Sequence, residues 1–320
     1  TDSSIPTDGT VILPLHLNTN SGVARYNSGI ANFGQDSSFA GNETAQGNTD
    51  ENGNGDFFYA PPSGHLALCN DNLPEPTIGP NDSDTNSTDN FNTLLYTGDA
   101  SSTRAITGVG FQPDWVFFAQ RNNTSARLMF DSTRGVNKAL YPNSTGVETN
   151  QDQYGYLSAF GADGFTAQAG STNNNYINEN NINIVAWNWK INGGTTSTNS
   201  DGSANSTVQV NTAVGMSQVL YTGNATGAGA EQTIGHGLGV KPDWIIFKSR
   251  DFDGQNWYNT HVGLDGGTST HIELDTNAAE HADADYMNGV APTNSVFSLG
   301  YNFTTNKNGT NYIAYCFNSV

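Results

Sequence analysis

A segment that occurs twice is the feature that most constrains how this chain can fold. The sequence GVGFQPDWVFFAQR at 108–121 returns as GLGVKPDWIIFKSR at 237–250, with Gly-X-Gly, Pro-Asp-Trp, a Phe and a closing Arg at matching places. Pro113 and Pro242 lie 129 residues apart, and Arg121 and Arg250 keep the same spacing. The match predicts that one structural unit is used twice.

The repeat extends on both sides of this segment. The segment LLYTGDASSTRAITGVGF (94–111) matches VLYTGNATGAGAEQTIGHGLGV (219–240). The segment NIVAWNWKIN (183–192) matches NYIAYCFNSV (311–320). Each copy is far longer than the roughly 20 to 50 residues of a solenoid repeat, so the copies are predicted to be tandem domains. Small polar residues at 193–207 and at 79–90 form predicted linkers. We therefore predict three parts, namely 1–90, a first repeat domain at 91–198, and a linker with a second repeat domain at 199–320.

Each copy consists of short β-rich runs separated by turn residues. DWVFFAQ, DWIIFKS, INIVAWNWK and SVFSLGY are rich in aromatic and β-branched residues, and the chain has 36 glycines with only 13% charged residues. We find no convincing amphipathic helix longer than about ten residues. The predicted fold class is all-β, with each copy a β-sandwich or jelly-roll domain joined to the next by a short polar linker.

The Pro-Asp-Trp tripeptide has a structural interpretation in both copies. Proline is tolerated at the first residue of a strand, the preceding Gly-X-Gly allows a sharp turn, and the Trp then begins a buried strand. This is a folding signal that needs no active site to explain it.

Together these motifs carry a family resemblance. In the first copy the motifs are LLYTGD, ITGVGFQPDWVFF, FDSTRGVNKAL, FGADGFTA and IVAWNWKINGG. In the second copy they are VLYTGN, TIGHGLGVKPDWIIFKSR, APTNSVFSLG and NYIAYCFNSV. Together they resemble a domain found in tail-fibre and virion structural proteins of tailed phages, especially marine ones. The stretch at 33–76 resembles the last half of a SPRY-like, concanavalin-type sandwich. The resemblance implies that residues 1–90 lack the opening strands of that domain, as a domain fragment, a truncated form or a domain completed by another chain. The resemblance implies a virion appendage protein with lectin-like, concanavalin-like β-sandwich folds, and it implies no catalytic residues.

Charge narrows the class of partner. The formal net charge is −19, which opposes binding to nucleic acid or to an anionic membrane, and no apolar run approaches the ~18 residues of a spanning helix. We therefore expect no nucleic-acid partner and no membrane insertion, and an acidic surface suited to saline or extracellular conditions. Together with the resemblance, this implies a virion or extracellular location.

One loop has the residue types of a calcium site. Asp50, Asn52 and Asn54 place oxygen atoms at alternate positions, a glycine takes the sixth place, and Asp56 follows. Pro61 stands where a calcium loop has its bidentate Glu, so a plain hairpin turn is the favoured alternative. Calcium is the only cofactor that the sequence suggests.

Other constellations are weaker. Cys69 and Cys316 lie in apolar runs and are expected to be free thiols rather than a disulfide. His236 lies between glycine turns and is expected to be an ordinary hydrogen-bonded loop residue, with a metal or catalytic role as the alternative. The sequence contains no nucleophile elbow and no phosphate loop, so we expect that the protein is not an enzyme. The alternative is glycoside hydrolysis by two carboxylates that face each other across a cleft, which the sequence does not exclude.

Three functions remain. The first is a tail-fibre or virion appendage protein that attaches to host surface polysaccharide without catalysis and works by avidity. The second is a self-assembling extracellular filament or surface-layer subunit, and the third is a secreted carbohydrate-binding module or polysaccharide-active enzyme. In the first two, we expect a homo-oligomer, a trimer or a polymer, together with other virion or filament subunits.

Overall fold

The computed structural model describes residues 32–72, 87–125, 127–173 and 176–319. The chain forms two compact units, Thr1–Glu75 and Pro76–Val320. Much of the predicted SPRY-like region, at 1–31 and 73–86, and the start of the predicted 79–90 linker lie outside the described residues.

The described residues of the first repeat form seven strands. They follow a 3-10 helix at Ser87–Asp89 and are β1 Phe91–Thr97, β2 Thr103–Thr107, β3 Trp115–Gln120, β4 Leu128–Asp131, β5 Tyr156–Gly161, β6 Gly164–Gln168 and β7 Asn183–Trp189. One sheet has the order β1-β7-β3-β4, and a second sheet has the order β2-β6-β5.

The described residues of the second repeat and of the 193–207 stretch before it form ten strands and three helices of four residues each. The strands are β8 Ser197–Asn199, β9 Ser206–Asn211, β10 Met216–Thr222, β11 Gln232–Gly235, β12 Trp244–Ser249, β13 Tyr258–His261, β14 Thr270–Glu273, β15 His281–Ala282, β16 Val296–Leu299 and β17 Asn311–Phe317. The helices are α1 Val262–Asp265, α2 Ala284–Met287 and α3 Phe303–Asn306. The main sheet runs β15-β14-β13-β12-β17-β10-β9-β8, and β11 pairs with β16.

Strand register is the same in the two repeats. Leu94 pairs with Ala186 as Val219 pairs with Ala314, so β1 and β7 correspond to β10 and β17. Trp115 pairs with Asp131 as Trp244 pairs with His261, so β3 and β4 correspond to β12 and β13. All-β structure is thus confirmed, and the repeated sequence is a repeated pairing pattern.

Three apolar clusters form the core of the larger unit. One lies between the two sheets of the first repeat and includes Phe118 and Phe165, and the second lies between the sheets of the second repeat and includes Phe247 and Phe297. The third joins the repeats and contains Trp115, Met129, Leu140, Ile191, Met216, Ile246, Trp257, Ile313 and Tyr315. The two copies therefore share a buried interface.

The repeated turn has a defined backbone reason. Gly108, Gly110, Gly237 and Gly239 all have positive φ, between 75° and 96°, which is the region that glycine enters without strain. The proline and Asp-Trp that follow then lead into β3 and β12. The turn predicted from Gly-X-Gly is confirmed in both copies.

The Asp of Pro-Asp-Trp fastens the end of each repeat. Asp114 is fully buried and accepts backbone N–H bonds from Ile191 and Gly194 at 2.7 Å and from Gly193 at 2.8 Å. In the second repeat Asp243 accepts the N–H of Ser319 at 2.8 Å. The carboxylate thus holds the segment that follows the last strand of the repeat.

The smaller unit, in its described part, is built mainly from turns. It has a 3-10 helix at Asn70–Asn72 and an isolated antiparallel bridge between Asn48 and Phe57. Phe57 and Ala67 are its buried apolar side chains. The prediction that residues 1–90 are a partial SPRY-like β-sandwich stays a prediction.

Among the described residues no helix is long and apolar enough to cross a membrane.

Candidate functional site

A buried ionic network lies where the two repeats meet. Arg134 Nε donates to Asp131 Oδ2 at 2.6 Å, Arg134 Nη1 donates to Glu148 Oε2 at 3.1 Å, and both the Arg134 and Asp131 side chains are fully buried. Tyr315 of the second repeat donates its hydroxyl to the same Asp131 oxygen at 2.8 Å. The network therefore joins β4 of the first repeat to β17 of the second.

Glu148 extends this network to Arg250. Arg250 Nε and Nη2 donate to the two Glu148 oxygens at 2.8 and 3.0 Å, a bidentate arrangement. Burial acts to raise the pKa of Glu148, but the hydrogen bonds and charges of Arg250 and Arg134 outweigh it and lower that pKa. Glu148 is consequently a charged, structural carboxylate rather than a proton donor.

Lys248 is a buried cation in the same region. Its Nζ donates to the Thr145 carbonyl at 2.9 Å and to the Gln255 carbonyl at 2.5 Å, and it lies 5.7 Å from the centroid of the Trp257 ring. Burial lowers the pKa of Lys248 to about 8, although the charges of Asp275 and Asp253 act in the opposite direction. Because Thr145 belongs to the first repeat, the hydrogen bond to its carbonyl also connects the first repeat to the second.

A polar cleft opens beside Arg250 on the second repeat. Its volume is about 490 Å³, and its lining is dominated by hydroxyl and amide groups: Thr198, Ala204, Asn205, Ser206, Thr207, Leu220, Tyr221, Thr222, Arg250 and Asn311. Asn205, Thr198 and Thr222 are exposed. Hydroxyls and amides both donate and accept hydrogen bonds, so this lining can form hydrogen bonds with the hydroxyl groups of a ligand.

The rim of the cleft is formed by strand ends whose hydrogen bonds occur in both repeats. Thr222 donates its hydroxyl to Asn311 Oδ1 at 3.1 Å, as Thr97 does to Asn183 Oδ1 at 2.9 Å in the first repeat. Asn311 Nδ2 donates to Asp251 at 2.7 Å, which fixes the orientation of its amide. The rim is therefore held in place by the protein before any ligand arrives.

A second cleft of about 530 Å³ lies along the seam between the repeats. It is lined by Tyr141, Asn143, Ser144, Gly146, Val147, Thr149, Asp251 and Asp253. Asp251 and Asp253 make it more acidic than the first cleft, and the described residues that line it include no cationic side chain. We call it the comparison cleft.

The calcium candidates form a hydrogen-bonded turn. Asp50 Oδ1 accepts the N–H groups of Asn52 and Asn54, both at 2.9 Å, and Asp50 Oδ2 accepts the N–H of Ala67 at 2.8 Å. Burial acts to raise the pKa of Asp50, but these backbone bonds outweigh it and lower that pKa. The carboxylate that would bind a cation already closes the loop.

The other three candidates also have protein partners. The Asn52 and Asn54 amides both donate to Asn72 Oδ1, at 2.9 and 3.1 Å, and Asp56 Oδ2 accepts the Ser37 N–H at 3.1 Å. Within the described ranges, no three His, Cys, Asp or Glu side chains group so as to hold a metal ion. The calcium loop at Asp50, Asn52, Asn54 and Asp56 stays a prediction.

His236 and the cysteines occupy structural positions. His236 is fully buried, with Nε2 3.2 Å from the Thr293 carbonyl and Nδ1 accepting the Leu238 N–H at 3.2 Å. Cys316 is buried and Cys69 half-buried, and both thiols are free. Burial raises the pKa of Cys316 to about 12, so this thiol is unreactive.

Sequence reasoning missed most of these residues because they differ between the copies. The second repeat has His261 where the first has Asp131, and Ala119 stands where the second has Lys248. A charged residue at an otherwise apolar strand position, as at Lys248, was the available signal.

Comparison with known proteins adds one result. Residues 86–320 match a family described as a domain of unknown function (DUF7483), and the chain therefore belongs to that family. The match spans both repeats in one domain. No curated protein and no solved structure matches the chain.

Proposed function

We propose that this chain is a structural protein of a viral tail fibre or other virion appendage, which attaches to host surface glycans without catalysis. The polar cleft beside Arg250 is the observation that carries the adhesive part. Its hydroxyl and amide lining suits the hydrogen-bonding groups of a sugar, and its rim is fixed by the Thr222–Asn311–Asp251 hydrogen bonds.

The virion location rests on the resemblance of the repeated motifs, and the tandem β-sandwich interpretation on the clusters between paired sheets. A non-catalytic role is supported by the use of the buried ionisable groups. Asp131, Glu148 and Arg134 bind one another, and Asp114 binds backbone amides. None of these contacts leaves a proton poised for transfer to a substrate.

The test is binding of the purified chain to an array of bacterial and archaeal surface polysaccharides, with reducing ends measured in the same samples. We expect binding to at least one polysaccharide and no increase in reducing ends. Binding to none would overturn the adhesive role, and release of reducing ends would favour the polysaccharide-active enzyme.

The virion assignment has its own test, immunogold electron microscopy of particles and filaments from the source culture. Label on tail fibres supports the proposal. Label on cell-attached filaments would favour the second candidate, a self-assembling filament or surface-layer subunit. The exposed apolar side chains of Phe91, Leu95, Trp244 and Ile272 support this candidate.

A further inference from the structure

The inter-repeat interface buries different parts of the two equivalent sheets. On the first repeat it uses a surface around Trp115, Met129 and Leu140, which we call the covering edge. On the second repeat it uses a surface around Met216, Ile313 and Tyr315, which we call the receiving face. Trp115 stacks on Tyr315 with ring centroids 4.6 Å apart. An interface of two different surfaces is heterologous.

The covering edge also exists on the second repeat, where it is exposed. By strand register Trp244 corresponds to Trp115, and Ile272, which pairs with Asn259, corresponds to Leu140, which bridges to Met129. Trp115 and Leu140 are 5% and 0% exposed, whereas Trp244 and Ile272 are 38% and 47% exposed. The second repeat thus presents an uncovered apolar edge.

The receiving face likewise exists on the first repeat, where it is uncovered. Phe91 corresponds to Met216 and Leu95 to Leu220. Met216 is 2% exposed and Leu220 is half-buried, whereas Phe91 and Leu95 are 39% and 61% exposed. Trp187, which corresponds to the fully buried Tyr315, is only half-buried.

These two exposed surfaces are complementary, because their counterparts already pack on each other inside the chain. We propose that the covering edge of the second repeat, at Trp244 and Ile272, binds the receiving face of the first repeat, at Phe91 and Leu95, of a second copy of this chain. The occupant is a second copy because the interface within the chain is the template. A heterologous contact leaves one free surface of each kind after each addition, so it propagates head to tail.

Charge sets the conditions for this association. The formal net charge of −19 makes two copies repel each other, and this repulsion is screened within about 8 Å at 0.15 M ionic strength. We therefore expect the association to strengthen as sodium chloride is added. This assembly does not rest on glycan binding, and it stands if the polysaccharide array is negative.

Sedimentation velocity of the full chain over a range of protein and salt concentrations tests the proposal. We expect the average mass to grow with protein concentration beyond the dimer, and to grow further with salt. Leu95→Asp removes the receiving face and Ile272→Asp removes the covering edge, and each variant alone is expected to stay monomeric. Val290 is 44% exposed and lies on neither of the two surfaces. The control variant Val290→Asp is therefore expected to assemble like the wild type.

Mixing the two variants is the decisive step. Leu95→Asp keeps its covering edge and Ile272→Asp keeps its receiving face, so an equimolar mixture is expected to form dimers and to stop there. Circular dichroism and thermal melting establish that each variant is folded. A wild type that stays monomeric at its highest soluble concentration and in high salt overturns the proposal. A wild-type dimer that never grows, or variants that fail to complement, also overturns it.

Discussion

Trp115 of the first repeat lies stacked on Tyr315 of the second, with ring centroids 4.6 Å apart and planes inclined by 21°. Trp115 also stacks on Trp189 of its own repeat at 4.3 Å, as its counterpart Trp244 stacks on the equivalent Phe317 at 4.8 Å, but Trp115 is 5% exposed and Trp244 is 38% exposed. The same Pro-Asp-Trp motif therefore places one indole inside the shared interface and the other at the surface. Equivalent residues in the two copies thus make unequal contributions to stability.

This inequality gives a matched pair of variants. Trp115→Ala is expected to reduce the free energy of unfolding by about 3–5 kcal/mol, the range for loss of a buried large aromatic side chain. Trp244→Ala removes the same group from a partly exposed site and is expected to cost clearly less. Urea unfolding followed by circular dichroism measures both, and equal losses would contradict the asymmetric packing.

The buried ionic network predicts that two arginine substitutions have unequal effects on the free energy of unfolding. Burial acts to lower the pKa of Arg134, but the charges of Asp131 and Glu148 and the hydrogen bond to Asp131 outweigh it and raise that pKa. Arg134→Met leaves Asp131 buried without its cation, which typically costs about 3–5 kcal/mol of unfolding free energy. Urea unfolding at neutral pH measures this loss.

Arg104 supplies the control for that experiment. It lies 3.5 Å from Asp99, but its side chain is partly exposed and that of Asp99 is half exposed. Arg104 also donates to the Thr97 carbonyl at 2.7 Å and to Asn178 Oδ1 at 3.1 Å. Because Arg104 is partly exposed and an exposed ion pair contributes about 0–1 kcal/mol, Arg104→Met is expected to cost clearly less unfolding free energy than Arg134→Met. If Arg134→Met were equally mild, the network would not hold the repeats together.

The shared features of the repeats were predictable from sequence, and their contact was not. Gly-X-Gly and Pro-Asp-Trp carry local backbone information, so the turns before β3 and β12 follow from them. The interface instead depends on residues that differ between the copies, such as Arg134 and Lys248. A long-range contact of that kind leaves no period in the sequence.

Strand β3 also shows what sequence patterns cannot predict about long-range contacts. Its residues alternate poorly because both faces are covered, one by the first repeat's core and the other by the second repeat. Such a run predicts a strand buried on two faces, but it does not say what covers the second face. The polar cleft was also missed, because its lining comes from strand ends that lie far apart in sequence.

The repeated Tyr-Thr-Gly predicts a pair of sensitive glycines. A Cβ on Gly98 would lie 1.9 Å from the Glu179 carbonyl oxygen, and a Cβ on Gly223 would lie 2.3 Å from that of Lys307. Gly98→Ala and Gly223→Ala must each displace backbone and are expected to lower the free energy of unfolding by roughly 1–3 kcal/mol or more. Thermal or urea unfolding measures the change.

Gly227 is the matched control, since a Cβ there meets nothing within 4 Å and its φ is not positive. Gly227→Ala is expected to be neutral or slightly stabilising, because alanine restricts the unfolded chain. Equal effects at Gly98 and Gly227 would show that the close approach does not constrain the repeat.

The polar cleft predicts local effects on glycan binding. Asn205→Ala and Thr207→Val remove hydrogen-bonding groups from the lining, and each is expected to weaken binding of a captured polysaccharide about fivefold to tenfold, as for loss of one hydrogen bond of about 1–1.5 kcal/mol. Asn143→Ala changes the comparison cleft and is expected to leave affinity unchanged. Titration by calorimetry measures all three, and loss of binding only in Asn143→Ala would move the site to the seam between the repeats.

Acid pH is expected to destabilise the larger unit through His236. Burial lowers the pKa of His236, and the hydrogen bond to Thr293 only partly opposes this. The unfolded chain then binds the proton more readily than the folded chain, so unfolding free energy falls as the pH drops below about 6.5, the ordinary histidine pKa. His236→Gln cannot titrate and is expected to show a smaller loss between pH 7.5 and pH 5, as measured by urea unfolding at each pH. An unchanged slope would assign the effect to another group, of which His271, whose pKa burial also lowers, is the first to replace.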